Sequence, residues 1–126
     1  MMHARLPVAV IGAGPVGLAA AAHLLARGET PLVLEGGPAV AHGVRQWGHV
    51  RMFTPWRFCV DRQAGALLAA HGWTHPDPDV APTGAELVAR YLEPLAALPA
   101  LAPHLHLGAR VVGVSRRGSE GADGRA

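Results

Sequence analysis

Val8-Ala9-Val10-Ile11-Gly12-Ala13-Gly14-Pro15-Val16-Gly17 is the stretch from which the rest of the chain can be read. Leu6 to Ile11 is a short apolar run that stops at a glycine, the pattern of a strand buried on both faces. Pro7 falls at its start, where a missing N–H is tolerated. Pro15 to Arg27 is rich in alanine and leucine and reads as a helix, and Gly28 stands where a left-handed residue ends one. Pro31 to Glu35 is a second apolar run. Strand, helix and strand within about 30 residues make one parallel crossover.

The glycines between the first strand and the helix follow the spacing Gly-x-Gly-x-x-Gly. Gly12 permits a tight turn out of the strand. Gly14 lets the backbone approach a pyrophosphate, and Gly17 lets the helix lie close to the strand. Two linked phosphates would meet the free N–H groups at the helix start, the positive end of its dipole. Ala21 and Gly28 are small residues 4 and 11 positions after Gly17, and Glu35 lies 18 positions after it. A carboxylate at the end of the second strand can accept hydrogen bonds from ribose hydroxyls and would repel a 2′-phosphate. The segment from Val8 to Glu35 is therefore expected to hold the ADP half of a dinucleotide other than NADP. The competing reading is a glycine turn in an unrelated α/β protein, with Glu35 a solvated strand end.

Composition narrows the remaining classes. The chain has 126 residues, half of them apolar and 16% charged, which suits one globular domain. The formal net charge is +2 and the basic residues are scattered, Arg116-Arg117 apart, so no nucleic-acid footprint is expected. The single cysteine, Cys59, cannot form an intrachain disulfide, which fits a cytoplasmic protein. The basic start and the apolar run after it resemble a secretory signal or a short membrane span. Gly12, Gly14, Pro15 and Gly17 interrupt that run where a helix would be needed, so neither is expected.

Beyond Gly36 the pattern changes. Residues 39–57 read as loop with short pieces of structure. Val60 to His71 reads as a helix ending at Gly72, and the three prolines between His75 and Pro82 demand an extended loop. Thr83 with Glu86 is a capping box opening a helix to Leu98, with Leu87, Val88, Tyr91, Leu92 and Leu95 on one face. Pro94 should kink or shorten it. Leu105 to Val114 ends in a β-branched run and reads as a strand. The domain is expected to span residues 1–115, followed by a disordered polar tail at 116–126.

Several segments carry a more specific likeness: Gly12 to Gly17, Trp47, Val50-Arg51-Met52-Phe53-Thr54-Pro55, and Pro82 to Leu87 with Tyr91-Leu92. Together they resemble the N-terminal third of the flavin-containing monooxygenase-like and thioredoxin-reductase-like oxidoreductases, over residues 6 to about 117. The resemblance implies a Rossmann-like α/β domain, a parallel sheet with helices on both sides, holding FAD. NADPH would reduce the flavin in the complete family. It implies that Arg51 to Pro55 runs beside the flavin ring and that the backbone of Val111 meets the adenine. The cofactor-binding set is then Gly12, Ala13, Gly14, Pro15, Val16, Gly17, Glu35, Gly36, Trp47, Arg51, Thr54 and Val111.

Three departures accompany the likeness. Gly36 and Gly37 follow Glu35 where many members have a basic residue. Pro55 stands where the monooxygenases have an asparagine, which argues against monooxygenation. The second glycine-rich motif for NADPH and the strands that close around the flavin are missing, so the domain is expected to be truncated and to hold FAD weakly or not at all. A non-catalytic nucleotide-binding fragment and the NAD-binding domain of a dehydrogenase are the alternatives.

No residue reads as an acid, base or nucleophile. His71 with His75 and His104 with His106 lack a third ligand at a useful spacing, so no metal is expected. Cys59 has no partner for a disulfide reductase mechanism and reads as a buried small residue. Trp56 and Trp73 read as packing residues.

Overall fold

The computed structural model describes residues 5–118. It is a mixed α/β structure with a three-stranded parallel sheet, β1 (Val8–Ile11), β2 (Pro31–Glu35) and β3 (Leu105–Leu107), in the order β1-β2-β3. The register pairs Val10 with Val33 on one side of β2 and Val33 with Leu105 on the other. Helix α1 (Pro15–Ala26) connects the first two strands as expected. It ends at Gly28, whose φ of +75° brings the Glu29 N–H back to the Leu24 carbonyl at 2.9 Å.

The two outer parts of the sheet differ from expectation. β2 is central and buries Pro31 and Val33. β1 has a neighbour on one side only, and Ile11 is 61% exposed. An apolar run suits either a central or an edge strand, and only sheet order distinguishes them. The expected strand over residues 105–114 is confined to Leu105–Leu107. Gly108, with φ +64°, turns the chain off the edge of β2, and Arg110–Val114 finds no strand to pair with among the described residues. A β-branched run without a neighbour forms no ladder. Residues 115–118 are exposed and form neither helix nor strand; the rest of the expected tail lies outside the described residues.

After β2 come α2 (His42–Arg45), a 3₁₀ turn at Trp56–Phe58 and α3 (Arg62–Ala69). Asp61 caps α3 by accepting from the Ala64 N–H at 3.0 Å. The capping box at Thr83 is present, with Thr83 N–H to Glu86 Oε1 at 2.8 Å and Glu86 N–H to Thr83 Oγ1 at 3.1 Å. It opens a helical rod made of α4 (Gly84–Leu87), a π turn (Val88–Leu92) and α5 (Glu93–Ala96). The π turn lies just ahead of Pro94, which has no N–H to offer the Arg90 carbonyl four residues back. The Trp73 indole N–H donates to that carbonyl instead, at 2.8 Å. One apolar core joins Leu18 and Ala21 of α1, Val33 of β2, Trp56, Leu68 of α3, and Tyr91, Leu92 and Leu95 of the rod.

Candidate functional site

The end of β1, the start of α1 and the end of β2 meet at one point. Gly12 continues the ladder by donating its N–H to the Leu34 carbonyl at 2.8 Å. Its φ of +101° then reverses the chain, a conformation that favours glycine. Gly14 caps α1 in an extended conformation and Pro15 occupies the first helical position. The Leu18 N–H donates to the Gly14 carbonyl at 3.0 Å. The N–H groups of Val16 and Gly17 precede that bond at the positive end of the helix.

The glycines of the turn are not equally required by the fold. A Cβ on Gly17 would lie 1.9 Å from the Gly12 carbonyl oxygen, so only glycine lets α1 start where it does. Gly14 differs. Its φ of −92° is open to any residue, and a Cβ there would meet nothing within 4 Å. The fold does not demand a glycine at position 14, and the face it leaves bare is open. That is the cradle a pyrophosphate would need.

Glu35 closes the other side. Its carboxylate accepts from the Ala13 N–H at 2.7 Å and from the Gly37 N–H at 2.8 Å. It is thereby held against the glycine turn, and each oxygen keeps lone-pair capacity for a further donor such as a sugar hydroxyl. Gly37 is a requirement the sequence reading missed. A Cβ there would come within 2.8 Å of the His42 side chain and 3.1 Å of Glu35 Oε2. The Ala41 N–H donates to the Ala13 carbonyl at 2.8 Å, tying the segment after β2 to the same turn. On the far side the Gly108 and Ala109 N–H groups donate to the Gly37 and Glu35 carbonyls at 3.0 and 2.8 Å. This brings Arg110 beside Gly36.

The sequence-derived residues therefore fall into two groups. Gly12 to Gly17, Glu35 and Gly36 come together, and Val111 follows Arg110, which lies beside Gly36. Trp47, Arg51 and Thr54 each make their contacts with other segments. Trp47 lies on Gly84, where an added Cβ would be 2.8 Å from its ring. Arg51 pairs with Thr83 in an isolated antiparallel bridge, donates to the Ala81 carbonyl at 2.6 Å and lies 3.8 Å from the Glu86 carboxylate. The Thr54 carbonyl accepts from the Cys59 thiol at 3.5 Å.

Burial pushes the Cys59 thiol above its ordinary value, the opposite of what a redox thiolate needs. Burial also acts to raise the Asp61 carboxyl. Hydrogen bonds from Ala64, His23 and Gln63 and the charge of His23 outweigh it and hold the carboxyl below its usual range. No three His, Cys, Asp or Glu side chains come together among the described residues. No helix there is long and apolar enough to cross a membrane. The chain matches no protein-family model, no curated protein and no solved structure.

Proposed function

We propose that residues 8–37 hold the ADP half of a dinucleotide in a Rossmann-like domain, and that the chain is the FAD-binding region of an NAD(P)H-dependent flavoprotein oxidoreductase. The observation that carries the nucleotide reading is the pairing of a bare-faced Gly14 with a carboxylate held on the same turn through the Ala13 N–H. The pyrophosphate would sit against the N–H groups opening α1, with the ribose hydroxyls at Glu35. A bound FAD would supply the redox chemistry, and these residues would bind and orient its nucleotide end.

The preference for FAD rests on the resemblance over residues 47–55 and 82–92. A second reading, an NAD-binding domain, rests on the same glycine turn and Glu35, since both dinucleotides carry the same ADP half.

Titration calorimetry of the chain with ADP, FAD, NAD and NADP tests both readings. ADP should bind, and NADP should bind more weakly than NAD because Glu35 faces the 2′ position. FAD binding more tightly than NAD supports the flavin reading, and the reverse order favours the second. Absence of ADP binding would overturn the nucleotide reading.

A further inference from the structure

Arg110 has no role in the reading above, yet the fold delivers it to the site. The bonds from Gly108 and Ala109 to the Gly37 and Glu35 carbonyls fix the chain just ahead of it. A Cβ placed on Gly36 would lie 3.7 Å from the Arg110 Cα, 3.7 Å from its Cβ and 3.9 Å from its Cγ. The aliphatic stem of Arg110 therefore covers the space that the missing Gly36 side chain leaves. Arg110 is exposed, and its guanidinium forms no ion pair or hydrogen bond among the described residues. A planar cation held by its stem, with a free head, is a surface for an aromatic face.

The order of parts in a nucleotide says which part that is. Phosphates at the glycine turn and ribose at Glu35 put the base one step further out, beside Gly36. We propose that Arg110 forms the outer wall of the adenine position, with its guanidinium lying over the purine face. This rests on the nucleotide reading of Gly12–Gly17 and Glu35. Arg110 is then a specificity-determining residue for a purine nucleotide, acting through shape and cation–π contact rather than through the phosphates.

The test is calorimetric titration of the full chain, Arg110→Ala and Arg110→Lys with ADP and with UDP, and a melting curve for each variant. The two nucleotides share ribose and diphosphate and differ only in the base. Arg110→Ala should weaken ADP about threefold to tenfold and UDP by less than about twofold, with melting unchanged. Lysine should restore only part of the loss, because it keeps the charge without the plane. Equal losses for ADP and UDP, or full rescue by lysine, would overturn the proposal in favour of a phosphate contact. ADP binding that neither substitution alters would overturn it alone. A wild-type chain that binds no ADP would overturn it together with the nucleotide reading.

Discussion

Residues 8–37 and the patch formed by residues 47–61 against 78–93 are built by opposite means. The first depends on side chains that are missing. Gly17 lets α1 meet the end of β1, Gly37 makes room for His42, and Gly12 supplies a left-handed turn. The result is a crevice with an open face. The second uses one such absence, at Gly84 beneath the Trp47 ring, and otherwise depends on groups that are present and satisfied. Main-chain bonds run from Met52 to Pro82 at 2.9 Å, from Trp56 to Val80 at 2.8 Å and from Gly84 to Val50 at 3.0 Å. Trp56 fills the core beneath them and is 1% exposed. Such a patch closes on itself and leaves its polar groups little to offer a ligand.

Substitutions can break or sharpen that contrast. The largest effect should come from Gly17→Ala. A methyl group 1.9 Å from a backbone oxygen forces α1 away from the sheet. A loss of about 3 kcal/mol or more in urea unfolding is expected, and an unchanged midpoint would show that the turn is softer than described. In the second region, Trp73→Phe removes the donor that answers the Arg90 carbonyl beside the π turn. A loss of about 1–2 kcal/mol is expected, with nucleotide binding unchanged. A change in ADP affinity would mean that the two regions are coupled.

The smallest effect lies between them, where His23 of α1 meets Asp61 of α3 at 3.0 Å. The folded carboxyl of Asp61 is held below its ordinary value, so the unfolded chain binds the extra proton first as pH falls. Its contribution is complete above about pH 4, the ordinary carboxylate value, and fades as pH drops through the lower folded value. Asp61→Asn can still cap α3, but it loses the charge. Its melting temperature should lie below the wild-type value at pH 6, and the two should converge as pH falls below the lowered folded value of Asp61. A gap that stays constant with pH would refute the ionic part.

How much could be read beforehand follows the same division. The segment from Val8 to Glu35 was legible because glycine geometry and helix punctuation are local. The turn, α1, Gly28 and β2 all stand where the spacing implied. The exposure of β1 was not legible, because a run such as Val8-Ala9-Val10-Ile11 carries no record of which strands flank it. The early end of β3 turns on Gly108 and on the carbonyls of Glu35 and Gly37, which are 73 and 71 positions away. Pro94 announced a disturbance in the rod, but not the π turn or the indole from Trp73 that answers it. Asp61 three residues before Ala64 was a readable cap signal that the sequence reading passed over. The grouping of Glu35, Gly37 and Arg110 needed the tertiary structure, since no local pattern joins them.

Gly14→Val tests the account most directly. The added Cβ meets nothing within 4 Å, so the fold should resist the change only through the poorer helix cap that valine makes. Melting temperature and ADP affinity, measured on the same sample, should separate: melting lowered by no more than the few degrees a lost cap costs, and ADP affinity reduced at least about tenfold, the scale of a blocked phosphate contact. A variant that folds normally and binds ADP as well as the wild type would contradict the claim that this open face receives a pyrophosphate.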